Sequence, residues 1–468
     1  MPVVQPVAPR LVVRDLAIVA AALSAQIGAQ LEYLPAYLPA LAAALTAALL
    51  LARAETFSLL FLGIATASIV NFEPAPCDFF FAFFALSVMW KNRSRLTAFA
   101  LRLLRAWTWR AFAIHTALTA LLVVVFFNAG AFRYTAITFY LMTLFLAMVA
   151  FDEISDRWTQ LFWAYLISIV PVIVALPWMD MLHIGDRYMA WFKDPNVLAA
   201  YLAVGILLGL AATTQGQPAR KVAAWMLLAI ALSTLFALTR SRGALLNLAA
   251  GVGTLLLFAA LHRKHFVRTS IVSGIVLALA SAVWLGPAQQ LLSSGRVHSA
   301  NHQSAVAPAS TASILARFAD GDPGRINNYR AGLQVAKLHP LGVGPGNYEK
   351  HSIRFRIGDE PFAGAAHSLY LRTLVEIGIP GLVTLVVFLG GLALRLRNWM
   401  KSRREAWIPA FFAATLAGML VHSILIDTLH WRHLWIILAL IAGNRLAAQP
   451  QGTGQALAPP LPAGRRAQ

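Results

Sequence analysis

Apolar runs of about 18 residues recur along nearly the whole of this 468-residue chain, and no other feature constrains its fold as much. A helix needs about 20 mostly apolar residues to cross the hydrocarbon core of a bilayer. Runs of that length read as spans near 13–30, 34–51, 56–72, 76–90, 111–127, 134–151, 160–177, 197–213, 222–238, 243–261 and 268–286. After a long gap come 380–398, 407–425 and 431–447. The expected architecture is all-α: a polytopic membrane protein with about 12–14 transmembrane helices and one large extramembrane loop. Composition excludes the soluble alternative. The chain is 59% hydrophobic and 12% charged, too little charge for the surface of a soluble protein this long.

The net charge of +19 raises a nucleic-acid reading, and the placement of the charge removes it. Lys91, Arg93, Arg95, Arg102, Arg105 and Arg110 fill one loop with no acid among them. His262, Arg263, Lys264, His265 and Arg268 fill a second, and Arg395, Arg397, Lys401, Arg403 and Arg404 a third. Short basic loops between apolar spans are what positive-inside orientation produces, so no nucleic-acid partner is expected. With these loops and both termini in the cytoplasm, the opposite side receives 179–196, 238–243, 287–366 and 426–433. The chain divides into N-terminal spans (1–286), the large loop (287–379), C-terminal spans (380–447) and a tail (448–468). The tail is rich in Pro, Gly, Gln and Ala and is expected to be disordered. Cys77 is the only cysteine, which excludes an intrachain disulfide and a thiolate metal cluster. MPVVQPVAPRLVVRD has no cleavage-site pattern, so the first span is expected to be retained.

The large loop has two parts. Residues 291–312, rich in Ser, Ala, His and Asn, read as mobile loop. In RINNYRAGLQVAKLH, Ile326, Tyr329, Leu333, Val335 and Leu338 recur at roughly helical spacing, and Pro340 ends the pattern. LGVGPGNY then supplies a tight turn.

The charges that orientation does not require lie on this side. Arg240 and Arg242 stand in ALTRSRGALL, at or just inside the membrane surface, where arginine is costly and usually paired or functional. Each alone is also compatible with a snorkelling anchor. Arg325 lies near a helix N-terminus, suited to an anion or to an ion pair with Asp320 or Asp322. His339, before Pro340, reads as a turn residue. Asp427 and His430 lie in HSILIDTLHW, where Asp427 is also placed to cap the last span. His367 opens AHSLYLRTLVEIGIPGL. A helix over His367–Ile377 is about 16 Å long, too short to span. Ile379-Pro380 with Gly378 and Gly381 breaks it, and a true span begins near Gly381. A helix opening at His367 would set its imidazole by the positive end of the dipole, which favours the neutral ring.

His367-Ser368, nine intervening residues and Gly378-Ile379-Pro380-Gly381 resemble the signature of the O-antigen ligases. GRINNYRAGLQVAKLHPLGVGPGNY (324–348), TRSRGALL (239–246) and FKDPNVLAAYLA (192–203) are similar to segments of the same ligase and polymerase superfamily, in the same order. The resemblance covers roughly 192–431. It implies a GT-C-like membrane glycosyltransferase in the bacterial inner membrane with its active site facing the periplasm. Such an enzyme moves O-antigen from undecaprenyl pyrophosphate to a sugar hydroxyl of lipid A-core, so those two lipids and the surrounding membrane lipids are the expected partners. It further implies Arg242, Arg325 and His367 as catalytic, His367 as general base, with Asp427 a further catalytic position. Arg240, Asn196, Arg330 and Tyr348 are implied as substrate-binding. Arginines, always charged and bidentate towards phosphate, suit the pyrophosphate leaving group, and few acids share their side: Asp320, Asp322, Glu349, Asp359, Glu360 and Asp427. No metal and no cofactor are therefore expected. An O-antigen polymerase and an O-linking protein glycosyltransferase would share the donor. A transporter or flippase of lipid-linked sugars would be expected to carry polar groups at mid-membrane depth, whereas these arginines gather at one face.

Overall fold

The computed structural model describes residues 37–70, 74–178, 182–184, 187–213, 218–262, 266–282, 323–355, 366–402 and 407–443, with seven single positions between 17 and 28. Most of the expected first span, residues 291–312, Asp320, Asp322, Asp359, Glu360 and the tail lie outside the described residues.

The described chain is helical apart from one two-stranded ribbon. It opens with α1 (Leu38–Ala52), α2 (Thr56–Ala65), α3 (Pro76–Asn92), α4 (Leu96–Leu103), α5 (Trp107–Val125), α6 (Ala129–Ala150) and α7 (Trp158–Val174). The antiparallel ribbon β1 (His183–Ile184) and β2 (Arg187–Tyr188) follows. Then come α8 (Pro195–Thr213), α9 (Ala219–Leu238), α10 (Arg242–His262) and α11 (Phe266–Ala282). The extramembrane loop holds α12 (Pro323–Leu338), α13 (Tyr348–Ser352) and α14 (Leu369–Glu376). The chain closes with α15 (Gly378–Ser402), α16 (Trp407–Leu425) and α17 (Arg432–Gly443).

Helices α5, α6, α8, α9, α10, α15 and α16 are long and apolar enough to cross a membrane, and the chain is a multi-pass membrane protein. The expected spans from 34–51 onward each coincide with a helix. One is shorter than the apolar run suggested: among the described residues of 56–72, α2 covers ten.

Helix α8 is the axis of the bundle. It is apolar on every side, so it has no face suited to water, and nearly all of it is buried. It packs on α9, α10, α11 and α16. Small residues permit the approach: a methyl group on Gly251 of α10 would stand 2.6 Å from Leu207 of α8 and 3.1 Å from the Ala414 carbonyl of α16. The α10–α16 contact is the most extensive among the described residues, and it brings the start of α10 beside the end of α16.

The loop helices form a small core of their own from Val335, Ala336, Val343, Tyr348, Leu371 and Val375. Their join to the bundle is a backbone clasp. The turn after α12 donates from Val343 N to the Val375 carbonyl (3.0 Å) and from Gly344 N to the Glu376 carbonyl (2.9 Å). In return Ile379 N donates to the Pro340 carbonyl (2.8 Å). Gly342 (φ 94°) and Gly378 (φ 80°) meet across it, and both need the left-handed backbone that glycine adopts freely. The break between α14 and α15 falls at Gly378, so the span starts three residues earlier than expected, and Pro380 sits in the first turn of α15, where a missing N–H costs nothing.

Candidate functional site

Ser241 starts α10. Its hydroxyl accepts from Ala244 N (3.2 Å) and donates to Asn196 Oδ1 (2.7 Å) at the head of α8. Arg187 of β2 reaches the same oxygen from Nη2 (2.7 Å) and donates from Nε to the Thr239 carbonyl (3.0 Å). Asn196 N in turn donates to Asp194 Oδ1 at 2.6 Å. The FKDPN and TRSRG segments, read separately from the sequence, are thus one construction. Asn196, expected to bind substrate, has its side-chain oxygen engaged in holding the arginine turn.

That turn is strained. Arg240 has φ 48°, in the left-handed region that a side chain makes costly by about 1–2 kcal/mol. His367 is the second such residue at the site, with φ 45°. Two candidate residues held in rare backbone conformations fit the tendency of strain to persist where function uses it. The same backbone corrects one expectation. Ser368 is the N-cap of α14, its hydroxyl accepting from Leu371 N at 3.3 Å, so the helix begins at Leu369 and His367 stands ahead of its first turn. His367 is therefore not a first-turn residue of α14, as the dipole effect on its ring required.

The segments that carry the three main candidates lie around the last turn of α16. Gly243, next to Arg242, leaves room for His422: a methyl group there would lie 3.1 Å from its ring. Arg325, in the first turn of α12, lies within electrostatic range of both His422 and Tyr329. One turn on from Arg325, the Tyr329 hydroxyl sits against the His367 carbonyl (3.2 Å) and the carbonyl of Ile424. The Ser368 hydroxyl completes the junction on the Ser423 carbonyl at 3.4 Å. Arg330 is exposed on α12. Tyr348, expected at the substrate, is instead part of the loop core: its ring is buried and its hydroxyl donates to the Asn328 carbonyl (2.7 Å).

His422 is one residue that sequence reasoning missed. It is buried, its Nδ1 accepts from Asn247 Nδ2 (3.3 Å), and it stacks edge-on against Trp431 at 5.1 Å. In the sequence it looks like one polar residue inside an apolar run, and only the α10–α16 packing places it beside the arginine turn.

Asp427 does not cap α17, which begins five residues later at Arg432. Its Oδ1 accepts from Leu429 N (3.1 Å), and its Oδ2 lies 3.1 Å from Arg372 Nε. The Nε hydrogen is not aligned with that oxygen, so the contact is ionic rather than a hydrogen bond. Arg372 also lies over the Tyr134 ring (4.9 Å) and 3.8 Å from Glu376, one turn along α14. Glu376 was not among the expected acids, being hidden in a leucine-spaced helix. Burial pushes its carboxyl up to about 7, against the opposing pull of Arg372 and of backbone N–H groups at Gly346 and Tyr348. Arg372 therefore ties the clasp to the α16–α17 connection.

The segment from α9 into α15 holds the arginine turn, α12, the clasp and His367-Ser368, and it decides the relationship. Residues 226–386 match the O-antigen ligase family. The likeness to O-antigen ligases read from the motifs is thereby borne out over about a third of the chain. Asn196, His422 and Asp427 stand outside the matched segment. No curated protein matches the chain.

Proposed function

We propose that this O-antigen ligase family protein is a membrane glycosyltransferase that moves a polysaccharide from undecaprenyl pyrophosphate to a sugar hydroxyl of lipid A-core. Its active site faces the periplasm of the bacterial inner membrane. One observation supports this above the others: Gly243 next to Arg242, Tyr329 one turn on from Arg325, and the His367 carbonyl, far apart in sequence, lie around the last turn of α16.

Neutral His367 takes the proton of the acceptor hydroxyl. The oxygen attacks the anomeric carbon, and the bond from that carbon to the pyrophosphate oxygen breaks. Undecaprenyl pyrophosphate leaves with the electron pair, and a single displacement inverts the anomeric configuration. Charge develops on the leaving group, where guanidinium groups held in advance are most effective. Arg242 and Arg325 supply them, and Asn196 and Arg187 hold the Arg240–Arg242 turn. Asp427, paired with Arg372, orients the loop opposite and is not required as a nucleophile.

Reaction of purified protein with lipid-linked donor and, separately, lipid A-core, a second donor or an acceptor protein tests the assignment. Product with lipid A-core alone supports it. Product with the second donor makes the protein a polymerase, and product with the acceptor protein makes it a protein glycosyltransferase. Asp320 and Asp322 stand one residue apart, outside the described residues, so activity is also measured in chelator. Activity lost in chelator and restored by magnesium or manganese overturns metal-independent transfer.

A further inference from the structure

His422 is wedged into the bundle, and one of its ring nitrogens is left over. Asn247 of α10 meets Nδ1 at 3.3 Å, Trp431 stands edge-on at 5.1 Å, and the main chain of Gly243 closes the remaining side. The residue is 1% exposed. Gly418 lets the Asn247 carboxamide lie against α16 with Oδ1 towards Gly418, which turns Nδ2 to the imidazole. An amide nitrogen only donates, so Nδ1 is the acceptor and the neutral ring carries its hydrogen on Nε2. Nε2 has no hydrogen-bond partner among the described residues. A buried donor left without an acceptor is costly, and a ligand oxygen would recover that cost.

Nε2 stands at the head of α10. A methyl group on Gly243 would lie 3.1 Å from it, so glycine is what admits the imidazole there. Helix α10 is 21 residues long, and its N-terminus is a positive end that favours an anion. Ser241 Oγ takes the Ala244 amide, while the Gly243 amide belongs to the first turn, which no carbonyl of the helix can reach. Arg242 opens the helix, and Arg325 lies within electrostatic range of the same ring. The nearby carboxylate, Asp427, is turned to Leu429 N and Arg372. We propose that His422 donates from Nε2 to a phosphate oxygen of a lipid-linked pyrophosphate seated at the head of α10. The ligand class rests on the transfer reaction proposed above, whereas the aim of the donor rests on the contacts alone. When the glycosyl bond breaks, its electron pair passes to the pyrophosphate oxygen and the Nε2 hydrogen stays on the ring. His422 thus steadies the developing charge and transfers no proton.

The test uses the full chain in detergent micelles, with binding measured by titration calorimetry. Farnesyl pyrophosphate is the probe, and inorganic pyrophosphate and sulfate are parallel arms. His422→Phe keeps a ring and removes the donor. His422→Gln gives up the ring and sets an amide N–H near the place of Nε2. A donor and a mere packing residue therefore predict opposite orders. The expected result is probe binding weakened about tenfold or more in His422→Phe and held within about threefold in His422→Gln. The reverse order overturns the proposal, as does equal binding by all three chains or no binding by the natural one. Inorganic pyrophosphate held as tightly as the probe overturns the lipid-linked source, and sulfate held as tightly overturns the pyrophosphate assignment. Nitrogen-15 spectra of the histidine-labelled natural chain read the tautomer without relying on the binding of a variant, the His422 signal being the one lost in His422→Gln. A hydrogen on Nε2 is expected, and one on Nδ1 overturns the proposal. A natural chain that binds the probe but transfers no sugar rejects the proposed function and leaves this site standing. Transfer by the natural chain, with normal probe binding by His422→Phe, does the reverse.

Discussion

Gly378→Ala isolates the clasp between α14 and α15. An L-residue at φ 80° pays a backbone penalty of about 1–2 kcal/mol. The new methyl group would also stand 2.4 Å from the Leu341 carbonyl carbon and 2.6 Å from the Pro340 oxygen, both main-chain atoms that cannot rotate away. Overpacking of that kind adds about 1–3 kcal/mol. The docked turn is therefore disfavoured by about 2–5 kcal/mol, a shift of tens- to thousands-fold in its population. Most of that falls on the loop and not on the bundle, because the clasp joins α14 to the turn after α12. Gly390→Ala in α15 is the control, since nothing lies within 4 Å of its added methyl. Stability is followed with a thiol-reactive fluorophore: Cys77 is the only cysteine and is buried, so it reacts when the bundle opens. Gly378→Ala should lose most transfer activity with a modest fall in Tm, and Gly390→Ala should retain both. Wild-type activity and Tm in Gly378→Ala would refute the reasoning.

Three further outcomes follow from the same geometry. Arg242→Ala, Arg325→Ala and His367→Ala should each abolish transfer without changing the Cys77 melting profile, and Arg242→Lys should recover little because a point charge does not replace a fork; robust turnover by His367→Ala removes it as the base. Arg372→Gln leaves Asp427 and Glu376 without their cation and should destabilise by about 3–5 kcal/mol, more than Asp427→Asn, which leaves Arg372 paired with Glu376; the order of the two melting temperatures decides. Burial raises the Glu376 carboxyl from near 4.5 to about 7, so the folded chain binds the extra proton in that window and stability should fall as pH rises through it. Glu376→Gln should flatten that slope, and an unchanged slope in the variant counts against Glu376 as its source.

Much of the fold was legible because a membrane simplifies the code. Apolar length alone marked the helices, down to α17. Helix ends were less legible, since α2 stops at a buried turn and not where hydropathy falls. At the site, Arg242, Arg325 and His367 stood out as charges that orientation did not require. Glu376 and His422 did not: each is a polar residue inside an apolar pattern, and its meaning comes from a neighbour distant in sequence. Tyr348 is the opposite case: the resemblance implied a substrate contact where the ring fills the loop core. The backbone angle of His367 had no sequence signal, because nothing in a His-Ser pair announces a left-handed residue.

Helix α2 bears on how the molecule is made. Its ten residues reach about 15 Å, half the thickness of a bilayer core, and the connection beyond it carries Thr66 and Ser68 fully buried. Its partners come later in the chain: Thr56 meets Ser87 on α3 (2.6 Å), and Val70 N donates to the carbonyl of Trp191 (3.2 Å). Irregular backbone at that depth is tolerated only inside protein. A ribosome that has just released α2 has not yet made either partner available, so the segment cannot settle as it emerges. Its integration is a tertiary event, completed only when the ribbon before α8 arrives more than a hundred residues later.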